Sequence, residues 1–232
     1  YRELMGSENW ETIINQESTL DVEGWTFFDF LVPGVIILAI VMNLTFVATT
    51  LTEESEFKTL ERLQLTPMKS HHLVGGLLLT QIMIATLQIA VLFGFAALLG
   101  FNATGSYILA SLIALFLSLS CSGIGFIIAA FVKKSSLAGG IGTLISVPFF
   151  ILTGAFIPIN TPNLFTISGN EFNLLDILPT RVAYNMMNRV LIYNQSYSNM
   201  TYEWIVLLIL TAFYLTLGLI LIDRLKLRRR GE

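Results

Sequence analysis

The sequence predicts an all-α polytopic membrane protein with five transmembrane helices, and three observations carry that prediction. Of its 232 residues, 54% are hydrophobic and only 12% charged, against roughly a quarter charged in soluble domains. Apolar runs at about 30–51, 73–99, 107–132, 137–157 and 204–222 are long enough, at ~1.5 Å per residue, to cross a ~30 Å hydrocarbon layer. The charges are collected between these runs: no Asp, Glu, Lys, Arg or His lies in the middle of any of them.

Taken in order, residues 1–29 are polar and acidic, with Glu3, Glu8, Glu11, Glu17, Asp21, Glu23 and Asp29 against Arg2. They lack the basic start and apolar centre of a signal peptide. Trp25, Phe27 and Phe28 form an interfacial belt before the first span, and Pro33 is expected in that span's first turn, where proline costs little. Asn43 and Thr45 are its polar residues at depth. The second and third spans are joined by a short link, 100–106, as a tight hairpin. A basic turn, Lys133-Lys134-Ser135-Ser136, opens the fourth span, which contains Gly139, Gly140, Gly142 and Pro148 and ends near Gly154 and Pro158. That composition predicts a kinked or broken helix. A polar loop with short apolar pieces, 160–203, leads to the fifth span, which exits into Asp223-Arg224-Leu225-Lys226-Leu227-Arg228-Arg229-Arg230.

The flanks set the expected orientation. With the C-terminus cytoplasmic, Lys and Arg divide ten inside to three outside, the three being Arg2, Arg181 and Arg189, which is the bias of the positive-inside rule. The expected location is the cell (plasma) membrane, crossed several times.

Several chemistries lack their residues. Ion-coupled carriers convert a gradient into conformational bias through titratable groups at depth, and the runs hold none. No nucleophile is paired with a base inside a span, which argues against an intramembrane hydrolase. No phosphate-cradling Gly-rich loop ending in Lys-Ser/Thr is present, so energy from ATP has to come from a partner. His71-His72 point about 100° apart on a helix and have no spaced Cys, Asp or Glu partner, so no metal site is expected. The single Cys121 excludes a disulfide framework. The basic residues are too scattered for nucleic acid. Ser118, Ser122 and Gly125, with Gly139, Gly142 and Ser146, stand at three- to four-residue spacing and let helices approach closely. Thr80, Gln81, Thr86 and Gln88 of the second span read either as a polar path or as interhelical hydrogen-bonding groups.

The charged island at 53–72 contains Glu53-Glu54-Ser55-Glu56-Phe57-Lys58-Thr59-Leu60-Glu61-Arg62-Leu63-Gln64-Leu65-Thr66-Pro67. Phe57, Leu60 and Leu63 or Gln64 recur at helical spacing, and Glu54 and Lys58 stand four apart. Thr66 before Pro67 breaks one helix and caps the next. The local pattern alone admits both a solvated loop and a short amphipathic helix. The stretch resembles the loop between the second and third spans of ABC-2 type transporter permeases, in which a Glu-rich lead precedes Thr-Leu-Glu-Arg-Leu, two further residues and Thr-Pro. Thr59 to Leu63 and Thr66-Pro67 match, with Glu54 and Glu56 ahead of them; Lys58 stands where the family commonly has glycine.

Two later segments extend the resemblance. The sequence from Ser146 through Pro148, Thr153-Gly154 and Pro158 is similar to the family's ending of its penultimate span before external re-entrant helices. Leu175-Asp176-Ile177-Leu178-Pro179-Thr180-Arg181-Val182-Ala183-Tyr184 is similar to the segment returning toward the last span. In it, Val182, Met186 and Val190 flank Ala183, Met187 and Leu191, an amphipathic helix suited to an outer membrane face; it reads either as packing or as part of an external gate.

The resemblance implies the permease subunit of an ATP-driven exporter that catalyses no covalent chemistry itself. Its implied partners are a separate ABC ATP-binding subunit, carrying ATP and Mg²⁺, and a second permease in a homo- or heterodimer within the bilayer. The coupling residues it implies are Glu54, Glu56, Phe57, Thr59, Leu60, Glu61, Arg62, Leu63, Thr66 and Pro67. The implied external gate is Pro148, Gly154, Pro158, Pro179 and Met186. Residues 1–29 are then expected to end an external segment that follows an earlier span, and 30–232 to form the rest of a six-span unit. The rival reading is a non-transporting assembly or sensing module with the same fold.

Overall fold

The apolar runs become helices. The computed structural model describes residues 27–57, 70–101, 105–155, 163–167, 170–194 and 200–227. Among the described residues six α-helices form: α1 (Phe27–Glu56), α2 (Ser70–Leu98), α3 (Tyr107–Phe131), α4 (Ser135–Leu152), α5 (Pro179–Leu191) and α6 (Thr201–Ile222). All but α5 are long and apolar enough to cross a membrane. A π-helical turn, Asp223–Leu227, follows α6.

Three boundaries differ from the sequence expectation. Helix α1 begins at Phe27, so Pro33 lies in its second turn and removes one intrahelical hydrogen bond. At its other end α1 runs past the apolar stretch through Glu53 to Glu56. Helix α4 carries Pro148 inside it but stops at Leu152, before the expected end near 157, because Gly154 takes a left-handed conformation (φ 81°) that terminates helices. The 160–203 segment, expected as loop and interfacial helix, also contains an antiparallel hairpin of β1 (Asn163–Ile167) and β2 (Asn170–Asn173), with Phe165 opposite Phe172. A 3₁₀ turn, Leu174–Ile177, then feeds α5.

The helix ends have identifiable stops. Beyond α2, Phe101 N–H bonds Ala96 O at 3.0 Å and Gly100 N–H bonds Ala97 O at 3.1 Å, with Gly100 at φ 89°. This is a Schellman motif, sealed by buried Phe101. Ser106 caps α3 by accepting from Leu109 N–H.

Helix α3 is the centre of the bundle, packed against α1, α6, α5 and α2, while α1 also packs along α4. The core joins Ile37, Ile40 and Leu44 of α1 to Ile113, Leu117 and Cys121 of α3. Helices α2, α4 and α6 turn large apolar side chains outward, among them Met83, Leu87, Leu144, Ile151, Ile209 and Phe213. Lipid tails are as apolar as these side chains, so nothing drives them inward; close packing selects the helix seams instead. A Cβ on Gly123 would lie 2.5 Å from the Tyr214 carbonyl carbon, and one on Gly218 would lie 2.5 Å from Gly123 O. The α3–α6 seam therefore requires bare backbone on both sides.

The amphipathic pattern of α5 is realised in full. Val182, Ala183, Met186, Met187, Val190 and Leu191 are all buried. Arg189 reaches Glu203 of α6 at 2.6 Å, and Arg181 lies 3.8 Å from Asp176.

Candidate functional site

The functional candidates fall at the two ends of α4. At one end, α1 stays helical through Thr52, Glu53, Glu54, Ser55 and Glu56, and Phe57 N–H closes a last turn onto Glu53 O at 2.9 Å. Phe57 is exposed. Glu54 is partly buried and lines a crevice of about 70 Å³ between α1 and α2, together with Thr50, Thr80 and Gln81. Glu56 is exposed, and its Oε2 accepts from Ser135 N–H, the first residue of α4, at 2.9 Å. The remaining coupling residues, Thr59, Leu60, Glu61, Arg62, Leu63, Thr66 and Pro67, lie outside the described residues.

At the other end, α5, which Pro179 opens, hydrogen-bonds residues beside Pro148 and Gly154 at the close of α4. Pro148 has no N–H to donate and sits one turn before the helix stops. The next carbonyl, Phe149 O, accepts from Thr153 Oγ1 at 2.8 Å and from Thr180 Oγ1 at 3.3 Å. Tyr184 OH donates to Ala155 O at 3.4 Å, just past Gly154. Pro179 opens α5 at its first turn, where its fixed φ suits a helix start. Met186 stands apart from this junction, fully buried in the main core. Pro158 lies outside the described residues.

Between the two ends, neutral polar side chains tie the helices at depth. Asn43 Nδ2 donates to Ser118 Oγ at 2.8 Å, and Gln81 Nε2 donates to Asn43 Oδ1 at 3.2 Å. Gln88 Nε2 donates to Ala39 O at 2.9 Å. The two glutamines of α2 therefore make interhelical hydrogen bonds to α1, whereas Thr86 bonds its own helix at Ile82 O and Thr80 is exposed. Thr45 of α1 meets Ser146 of α4 at 3.0 Å, and Thr211 of α6 donates to Phe116 O of α3 at 3.1 Å. Such bonds substitute for the water that hydrocarbon does not provide.

These bonds matter most for α2, which packs chiefly on α3. Between α1 and α2 lie the Glu54 crevice and, beyond the glutamine bonds, an apolar groove of about 340 Å³ lined by Val32, Val35, Val91 and Phe95. The α1–α4 seam is built differently. Gly142 lies under Thr45 and Gly139 under Thr49, with 2.9 and 3.0 Å from the place a Cβ would take.

Sequence reading selected the small residues of α3 and α4 but not Gly123 and Gly218, and it noted Asn43 only as polar at depth. A strongly polar residue alone in an apolar run is a signal for such a network, since an unpaired amide is costly in lipid. The bond from Glu56 to Ser135 spans 79 residues of sequence and leaves no local trace.

Among the described residues, no group of three or more His, Cys, Asp or Glu is placed to hold a metal ion. The arrangement consists of one charged helix end, one proline- and glycine-bounded junction, and closely packed helices between. No curated protein matches the chain. The family model described as ABC-2 family transporter protein matches residues 6–220. With five helices of membrane-crossing length and a match over nearly the whole sequence, the chain belongs to the ABC-2 transporter family and is a multi-pass membrane permease of an ABC transporter.

Proposed function

We propose that this permease is the membrane subunit of an ATP-driven exporter whose energy comes from a separate ATP-binding subunit docked on residues 57–67. The observation that carries the reading is the unbroken course of α1 from its apolar core to Glu56. A push on the following segment meets a rigid helix instead of a slack loop. In this reading the end bearing Glu54, Glu56, Lys133 and Lys134 is cytoplasmic, as is the C-terminus. Phe57, Thr59, Leu60, Glu61, Arg62, Leu63, Thr66 and Pro67 form the docking surface, while Glu54 and Glu56 belong to the helix that receives the movement. The α4–α5 junction, with Pro148, Gly154, Pro158 and Pro179, is the outer gate, and Met186 anchors α5 beneath it. ATP and Mg²⁺ reside on the partner, and a second permease completes a homo- or heterodimer against the outward apolar faces.

The test is affinity purification of the full-length protein in mild detergent, with ATPase assay and mass identification of what accompanies it. The expected result is a copurifying ATP-binding subunit that is lost from the variant Leu60→Asp/Glu61→Lys while the permease remains in the membrane fraction. An ATPase that stays bound to that variant removes residues 57–67 from the interface; a preparation free of ATPase refutes the transport reading.

A further inference from the structure

We propose that Glu56 is an intramolecular clasp that makes α1 and α4 move as one body, so that displacement of the docking segment 57–67, the elbow, reaches the α4–α5 junction through α4. The inference rests on the transport reading above and gives Glu56 a role inside the chain instead of on the partner's surface.

Three observations converge on it. The first four N–H groups of a helix have no partner within it. In α4 the capping residue, Lys134, makes no side-chain hydrogen bond to them. The Glu56 carboxylate supplies what Lys134 does not, accepting from Ser135 N–H at 2.9 Å and placing negative charge at the positive end of the helix dipole. Next, this bond continues an existing seam. Moving back along α1, Thr49 covers Gly139, Thr45 covers Gly142, and Thr45 bonds Ser146 at 3.0 Å. With Glu56 on Ser135, contact extends from the first residue of α4 into its last two turns. Finally, the far end of α4 is itself fastened: Phe149 O and Ala155 O accept from Thr180 and Tyr184 of α5. The path from elbow to junction is therefore closed by hydrogen bonds at both ends and packed between them. Helix α2 has no comparable seam with α1, being joined to it by the Gln81 and Gln88 amides across open crevices.

Ser135 allows a clean test. It is the first helical residue, and Lys134 before it is extended (φ −114°, ψ 130°), so proline fits there. Ser135→Pro deletes both the N–H and the hydroxyl that bond the Glu56 carboxylate, while leaving Glu56 intact. Hydrogen exchange of the full chain is expected to show the 135–138 amides of Glu56→Ala opening about fivefold faster than wild type, with residues 145–150 unchanged. Unaltered exchange overturns the clasp, whatever the transport function.

The coupled readout uses the purified complex with Tyr193→Cys, an exposed site just after α5, labelled by a maleimide with and without ATP and vanadate; native Cys121 is fully buried. In the parent, nucleotide trapping is expected to change the labelling rate. Glu56→Ala, Ser135→Pro and the double variant are each expected to lose at least half of that change, the double no more than either single, with the ATP-binding subunit still bound. Loss of the subunit from Glu56→Ala but not from Ser135→Pro makes Glu56 a docking contact and overturns the proposal. So does a full nucleotide response in both single variants. A parent without any ATP-binding subunit refutes the transport reading instead, and the exchange measurement then decides the clasp alone.

Discussion

Replacing Asn43 with leucine removes a buried side chain that bonds both α2 and α3. Two short hydrogen bonds go, at 2.8 Å to Ser118 and 3.2 Å from Gln81, with a longer one at 3.5 Å to Ser122. Interhelical bonds in membranes average about 0.6 kcal/mol, with the best near ~1.7, so the pair accounts for ~1–3 kcal/mol. The Gln81 amide, itself only 5% exposed, also loses its acceptor, and stranding a buried donor costs about 1–3 kcal/mol. Leucine recovers part of this, because it has no amide of its own to satisfy. A net loss of about 2 kcal/mol lowers the melting temperature of a chain of this size by ~4–8 °C. The assay is thermal unfolding of the detergent-solubilised full chain, carried through a double-mutant cycle with Gln81→Leu. Because the two residues share one bond, the second substitution costs about 1 kcal/mol less in the Asn43→Leu background than in wild type. Additivity within ~0.5 kcal/mol, or an unchanged melting temperature, refutes the network as a link between α1 and α2.

Two further predictions use the same unfolding measurement. Gly123→Ala places a Cβ 2.5–2.6 Å from backbone atoms of Tyr214 and Leu215, which cannot rotate away, so overpacking of about 1–3 kcal/mol outweighs alanine's helix preference of ~1 kcal/mol. Gly140→Ala, with nothing within 4 Å, retains that preference and melts at or above wild type; equal behaviour of the two variants contradicts the seam. Met186→Leu is tolerated at under about 1.5 kcal/mol, whereas Met186→Asp puts an unpaired carboxyl into the core and abolishes accumulation of folded protein. Normal accumulation of the aspartate variant moves Met186 out of the core.

Reading a sequence for apolar length is reliable where the solvent is lipid, because every backbone group in hydrocarbon must be bonded within its own helix. That rule placed all five long helices, and the period of α5 identified six of its eight buried residues. Glycine and proline likewise marked the α4–α5 junction: Pro148 and Gly154 each remove an ordinary helical option, by a missing N–H and by a left-handed turn.

The failures share one cause. Helix α1 was expected to end with its apolar residues, yet Glu53 to Glu56 extend it; hydropathy locates the membrane edge, whereas a helix ends only where its hydrogen bonds do. The β1–β2 hairpin went unread because its alternation is short and its register is fixed by pairing across strands.

The sequence by itself determined the solvent, the number of long helices and the family, since these follow from the composition of contiguous stretches and from motifs a few residues long. Only the tertiary structure decided which helix lies at the centre, that Gly123 faces Gly218, that Asn43 bonds both Ser118 and Gln81, and that Glu56 caps α4. Each of these is a meeting of residues far apart in the chain. In lipid such meetings are selected by close backbone approach and by polar groups seeking partners, and neither leaves a periodic mark on the sequence.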